Sequence, residues 1–158
     1  MTVEEIREQM ELAGKRKTYP FWVECVCYSV IAGAFTLFFG GGYIEAVVSL
    51  VIGLVVRFGI FLTDVTVPNK VFSKFFSSVI ATLLAFVAVK IGFIHNVDKV
   101  IIGNIMTLIP GIGLTNALRD LFTGVSIAGL LRTIEAILIA LAIAAGYFLV
   151  VILGGLVL

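Results

Sequence analysis

The chain has 158 residues, 61% of them apolar and 13% charged, and its mean hydropathy is +1.19. Soluble domains average about 45 to 50% apolar and about a quarter charged, so this chain has too little polar surface to cover a water-soluble globule and its natural solvent is lipid. Eleven Lys and Arg against ten Asp and Glu leave a net charge of +1, which excludes the basic footprint of a nucleic-acid binder. One His and two cysteines, Cys25 and Cys27, make neither a metal-ligand set nor a disulfide framework. Both thiols read as reduced packing residues, and no metal or other cofactor is expected.

In chain order, residues 1–20, MTVEEIREQMELAGKRKTYP, are mixed in charge and lack a short apolar core followed by a cleavage site. They are expected to form a cytoplasmic N-terminal segment rather than a removed signal peptide. At 1.5 Å per residue about 20 apolar residues cross a hydrocarbon core of about 30 Å. The first such segment runs from Phe21 to Phe39 and ends at three glycines, Gly40 to Gly42; the second runs from Tyr43 to about Leu62 and ends at Asp64, Pro68 and Asn69. The third runs from about Val71 to Val89, closed by Lys90. A loop with His95 follows, where Asn96 or Asp98 can cap the next helix. Residues 97–124 are about one span long but are interrupted by Pro110, Gly111 and Gly113. Proline removes a donor and clashes with the preceding turn, so this segment predicts two half-helices joined by an unwound PGIG hinge. The last segment starts near Ser126, and Ala136, Ala140 and Ala144 predict a small-residue packing stripe on it. The expected fold is an all-α membrane protein, with five transmembrane helices in residues 21–158 and the fourth of them broken.

Orientation follows from loop charge. Arg7, Lys15, Arg16, Lys17, Lys70, Lys74, Arg119 and Arg132 fall on one side and only Lys90 and Lys99 on the other, which predicts a cytoplasmic N-terminus and an external C-terminus. Tyr19, Phe21 and Trp22 at one interface and Tyr43 at the other fit an aromatic belt. Arg57 reads as snorkelling from the inner end of the second span, and Glu24 and Glu45 as interfacial. A second copy fused behind five spans would run inverted, and inverted repeats place a solute site at their interface, commonly on broken helices. No internal repeat is visible in these residues, so a complete pathway is expected to need other chains.

The chemistry concentrates in TLIPGIGLTNALRD. Thr107, Gly111, Thr115, Arg119 and Thr123 are spaced by four and draw a polar and small stripe down one helical face, with Asn116 and Asp120 as a second pair beside it. A charge at the bilayer centre costs about 2.5 to 3.5 kcal/mol on insertion scales, less near the interface, so Arg119 and Asp120 should face protein or water. The break frees carbonyls at the end of one half-helix and amides at the start of the next. A small zwitterion fits them, its carboxylate on the amides near Gly113 and Leu114, its ammonium on the carbonyls near Leu108 and Ile109, and a hydroxyl on Thr115 and Asn116. Asn104, one turn earlier, extends the polar surface. Arg132 and Glu135 can pair along their own helix or across to Asp120 and Arg119, and Asp120 or Glu135 is a candidate proton acceptor. The bland alternative is a packing kink with interfacial anchoring charges and a structural ion-pair network.

The run PGIGLTNALRD, then TG, then AGLLRTIEAILIALAIAAG resembles the signature of the bacterial threonine/serine exporter family, and FFGGGYIEAVVSLVIGLVVR resembles it more loosely. The resemblance implies proton-driven export of small hydroxy amino acids or, as in related two-subunit members, of a dicarboxylate such as succinate, across a bacterial inner membrane. It assigns the family pattern to Thr115, Asn116, Arg119, Asp120, Arg132 and Glu135. Such members pair one five-span half with a second, fused or separately encoded, so a homo-oligomer or a complex with a second five-helix subunit is expected. A passive channel or a scaffold subunit is the competing class; no pattern of an intramembrane enzyme is present.

Overall fold

A computed structural model describes residues 19–66, 69–124 and 126–157. Most of the N-terminal segment, with Arg7, Lys15, Arg16 and Lys17, lies outside the described residues. Six helices follow in order: α1 (Phe21–Phe38), α2 (Tyr43–Thr66), α3 (Lys70–Lys90), α4 (Val97–Met106), α5 (Gly111–Phe122) and α6 (Ser126–Val157). Four, namely α1, α2, α3 and the Ser126–Gly154 part of α6, are long and apolar enough to cross a membrane. The pair α4 and α5 is bent by 50° and makes a fifth span if counted as one. The chain is an all-helical, multi-pass membrane protein with a broken fourth segment, as its apolar runs predict.

The break falls slightly earlier than the PGIG motif suggests. Residues Thr107 to Pro110 are non-helical, whereas Gly111 and Gly113 lie in the first turn of α5. The cause is steric: proline is accepted at a helix start, where no intrahelical donor is needed, but it forces the residue before it out of the α region. Pro110 therefore caps α5 and Ile109 takes the distortion. Asn69 caps α3 by accepting from the amides of Val71 (3.0 Å) and Phe72 (3.4 Å). Asn96 precedes α4 without a side-chain cap and instead donates to Glu45 at 3.3 Å. Glu45, in the first turn of α2, is buried.

Helices α1 to α4 form one cluster, in which α1 packs on α2 and α4 while α2 and α3 pack on each other and on α4. Its core is Ile52, Val56 and Ile60 of α2, Ala81, Ala85 and Ala88 of α3, and Val100 and Ile101 of α4, joined by Ile139 and Ile143 of α6. Lipid offers no hydrophobic drive between helices, so close packing of small residues and hydroxyl bonds hold them together. Ser29 donates to the Leu50 carbonyl (2.8 Å), Thr36 and Ser49 share a 2.6 Å hydroxyl bond, and Ser78 donates to the Ile143 carbonyl (2.7 Å). At Gly103 an added Cβ would lie 2.9 Å from the Ala32 carbonyl oxygen, so α4 sits directly on the backbone of α1.

Helix α5 leaves this cluster and lies against α6. Gly124, at φ +89°, reverses the chain between them, and a Cβ on Gly129 would stand 2.8 Å from the Leu121 amide nitrogen. On α6 the buried residues are Gly129, Ala136, Ile139, Ile143, Gly146 and Val150, which from Ala136 onward mix steps of three and four. Of the expected alanine stripe only Ala136 is buried; a strict i+4 row drifts by about 40° per step around the helix and leaves Ala140 and Ala144 exposed.

Candidate functional site

The 50° bend swings α5 and α6 away from α1 and α2 and leaves a cleft of about 790 Å³ at the break. Its walls come from five elements. Glu24 and Tyr28 face it from α1, Arg57 and Asp64 from α2, and Lys70, Ser73 and Lys74 from α3. The break itself supplies Thr107 to Pro110, α5 contributes Gly113 and Asn116, and α6 contributes Arg132 and Glu135. Asp64 and Lys70 lie near the α2–α3 connection, so the cleft reaches from that end of the bundle inward to the break.

Seven charged side chains therefore line one membrane cleft, four basic (Arg57, Lys70, Lys74, Arg132) and three acidic (Glu24, Asp64, Glu135). Most are paired. Arg57 donates to Glu24 through Nη2 and, at 3.1 Å, through Nε. Its guanidinium also stands 5.4 Å from the Phe21 ring centroid and 5.7 Å from that of Tyr28. Lys70 pairs with Glu135 at 3.1 Å, tying α3 to α6, and Arg132 pairs with Asp120 at 2.5 Å, tying α6 to α5. Asp64 and Lys74 form no ion pair among the described residues. Ser73, beside Lys74, is buried, and its hydroxyl has no hydrogen-bond partner among the described residues.

Of the residues singled out from the sequence, Thr107, Pro110, Gly113, Asn116, Arg132 and Glu135 line this cleft. Asp120 borders it through Arg132. Gly111, Thr115 and Arg119 lie on α5 and are exposed away from the lining; the Thr115 hydroxyl donates back to the Gly111 carbonyl at 3.0 Å. Asn104 is fully buried in the cluster and bonds the Val100 carbonyl (2.9 Å), leaving its Oδ1 without a partner. Of the expected pairings among Arg119, Asp120, Arg132 and Glu135, only Arg132 with Asp120 forms; Glu135 pairs with Lys70 instead, and Arg119 is in no ion pair among the described residues. The freed backbone groups are partly reused: the Leu114 amide bonds the Pro110 carbonyl and the Gly111 amide bonds the Ile109 carbonyl, both at 2.9 Å. Gly113 keeps an amide that the first helical turn does not use.

Sequence reasoning missed the α1–α3 wall. Arg57 does not snorkel; it turns into the bundle, with a side chain 15% exposed. The available signal was one Glu and one Arg embedded in adjacent apolar spans, since intramembrane charges face partners or water.

A family model described as "Putative threonine/serine exporter" matches residues 1–154. No curated protein and no solved structure matches the chain. A family model covering nearly the whole chain accords with the broken span and the TNALRD motif, and the chain belongs to the threonine/serine exporter family, a family of membrane transporters.

Proposed function

We propose that the chain is a subunit of a proton-driven exporter of small hydroxy amino acids, threonine and serine, in a bacterial inner membrane, and that the solute sits in the cleft at the helix break. The observation that carries this reading is the cleft itself: a cavity of about 790 Å³ with both signs of charge, opened by a broken membrane helix. Broken helices at the midplane are how many transporters present polar groups to a solute. Gly113 offers an amide and Asn116 a carboxamide to the solute's hydroxyl and backbone-like groups, while Thr107 and Pro110 shape the floor. The lining carries both signs of charge, as recognition of a zwitterion requires.

With the N-terminus cytoplasmic, as the loop charges predict, the cleft opens to the cytoplasm, the side from which an exporter collects its cargo. Lys70–Glu135 and Arg132–Asp120 join the walls that must move apart or together, so protonation of Glu135 or Asp120 would loosen a strut and couple proton entry to the change of access. A second copy or a second five-helix chain completes the pathway; Ile112 and Phe122, 82% and 88% exposed on α5, are apolar surface available to it.

Counterflow in vesicles with labelled threonine, serine and succinate, using this chain alone and with candidate second subunits, tests the reading. Threonine or serine exchange in either arrangement is expected, with Asn116→Ala reducing it about tenfold at normal abundance. Exchange of succinate alone, or undiminished flux in Asn116→Ala, contradicts it. Glu135→Gln is expected to keep exchange but to lose its dependence on a pH gradient; an unchanged dependence would remove the coupling role.

A further inference from the structure

Among the cleft's charges, three of the basic side chains have acidic partners, and the lining then holds one cation and one anion outside any ion pair of the described residues: Lys74 of α3 and Asp64 of α2. Ser73 adds a second anomaly. The buried hydroxyls of Ser77 and Thr82 on the same helix donate to carbonyls four residues back, at 2.7 and 2.8 Å, and that of Ser78 donates to Ile143. The Ser73 hydroxyl does none of this, although its residue is 1% exposed and lines the cleft. A buried hydroxyl without a partner is costly, and a fold that satisfies the other hydroxyls of α3 leaves this one unbonded among the described residues, on a residue that lines the cavity.

We propose that Lys74 and Ser73 form the carboxylate subsite of the cleft and that Asp64 on the neighbouring helix receives the α-ammonium. The inference rests on the reading that the cleft holds the transported solute, and it specifies which wall recognises that solute. The carboxylate accepts from the Lys74 ammonium and from the Ser73 hydroxyl, two donors that have no partner among the described residues. The solute's ammonium donates to Asp64, and its short side chain then projects toward Gly113 and Asn116 across the cleft. One free charge of each sign selects a zwitterion. A dicarboxylate would leave one carboxylate against Asp64, and an amine without a carboxylate would leave Lys74 unanswered.

Competition against labelled L-threonine counterflow tests this in the unmodified protein, with whatever second chain activity requires. Unlabelled L-threonine should compete, whereas threoninamide, 3-hydroxybutyrate and succinate should each compete at least about tenfold more weakly, the loss expected for one charge-assisted contact. Lys74→Gln should raise the KM for threonine about tenfold and narrow the preference for threonine over threoninamide, Lys74→Arg should restore much of both, and Ser73→Ala should raise KM about threefold. Threoninamide or succinate competing as well as threonine in the unmodified protein overturns the proposal even if Lys74→Gln fails to accumulate. Threonine flux with an unchanged KM in Lys74→Gln overturns it while sparing the transport reading. Absence of threonine and serine flux in the unmodified protein overturns both.

Discussion

Arg57 occupies a place that only a fixed helix register can provide. It reaches from α2 to Glu24 of α1 with the rings of Phe21 and Tyr28 close by, so a carboxylate and two aromatic rings stand near its charge. Removing the carboxylate leaves a guanidinium that is 15% exposed without a counter-charge. Glu24→Gln is therefore expected to destabilise the fold by about 1 to 3 kcal/mol, the penalty for stranding a partly buried group. A thermal-shift or detergent-unfolding measurement checks this, and the exchanged pair Glu24→Arg with Arg57→Glu should recover part of the loss. The sequence displays both charges, but each looks interfacial by itself. The pairing depends on how α1 and α2 slide against each other, and no local periodicity encodes that. By contrast Asn116 was legible because it follows a backbone break that proline chemistry makes visible in one dimension, and Arg132 and Glu135 because they are charges three apart in an apolar span.

At the scale of elements, apolar length and helix breakers go far. Runs of about 20 apolar residues ended by glycines, Asp64 and Asn69 place α1, α2, α3 and α6 close to where they lie, since no other backbone satisfies its own hydrogen bonds in lipid. One element turned on tertiary contacts instead, and one on local sterics. The alanine row on α6 lost to a seam of mixed three- and four-residue steps against α3, and the break moved to Thr107–Pro110 because the proline ring distorts what precedes it. Pro110→Ala is expected to let α4 and α5 approach one continuous helix, reduce the 50° bend and narrow the cleft. Distances between spin labels on α4 and α5 should lengthen as the pair straightens, with flux lost at normal abundance. Gly129→Ala acts at the other joint. Its methyl would meet the Leu121 amide nitrogen at 2.8 Å, so α5 must shift off α6 at a cost of about 1 to 3 kcal/mol, visible as a lower unfolding temperature.

For the molecule as a whole, α1 to α4 form a cluster on which α6 packs through α3, while α5 stands off against α6 and a charged cleft lies at the break; Lys70–Glu135 ties α6 to α3 and Arg132–Asp120 ties α5 to α6. The central claim is that this cleft is a solute chamber reached from the cytoplasm. Cysteine placed at Asn116, in a background with Cys25 and Cys27 replaced, reports on it directly. In vesicles of defined orientation, a membrane-impermeant maleimide applied from the cytoplasmic side should label Asn116→Cys, and millimolar L-threonine should slow that labelling severalfold while alanine-free buffer salts do not. A cysteine at that position that stays unlabelled from the cytoplasm, or reacts at the same rate with and without threonine, would contradict the account.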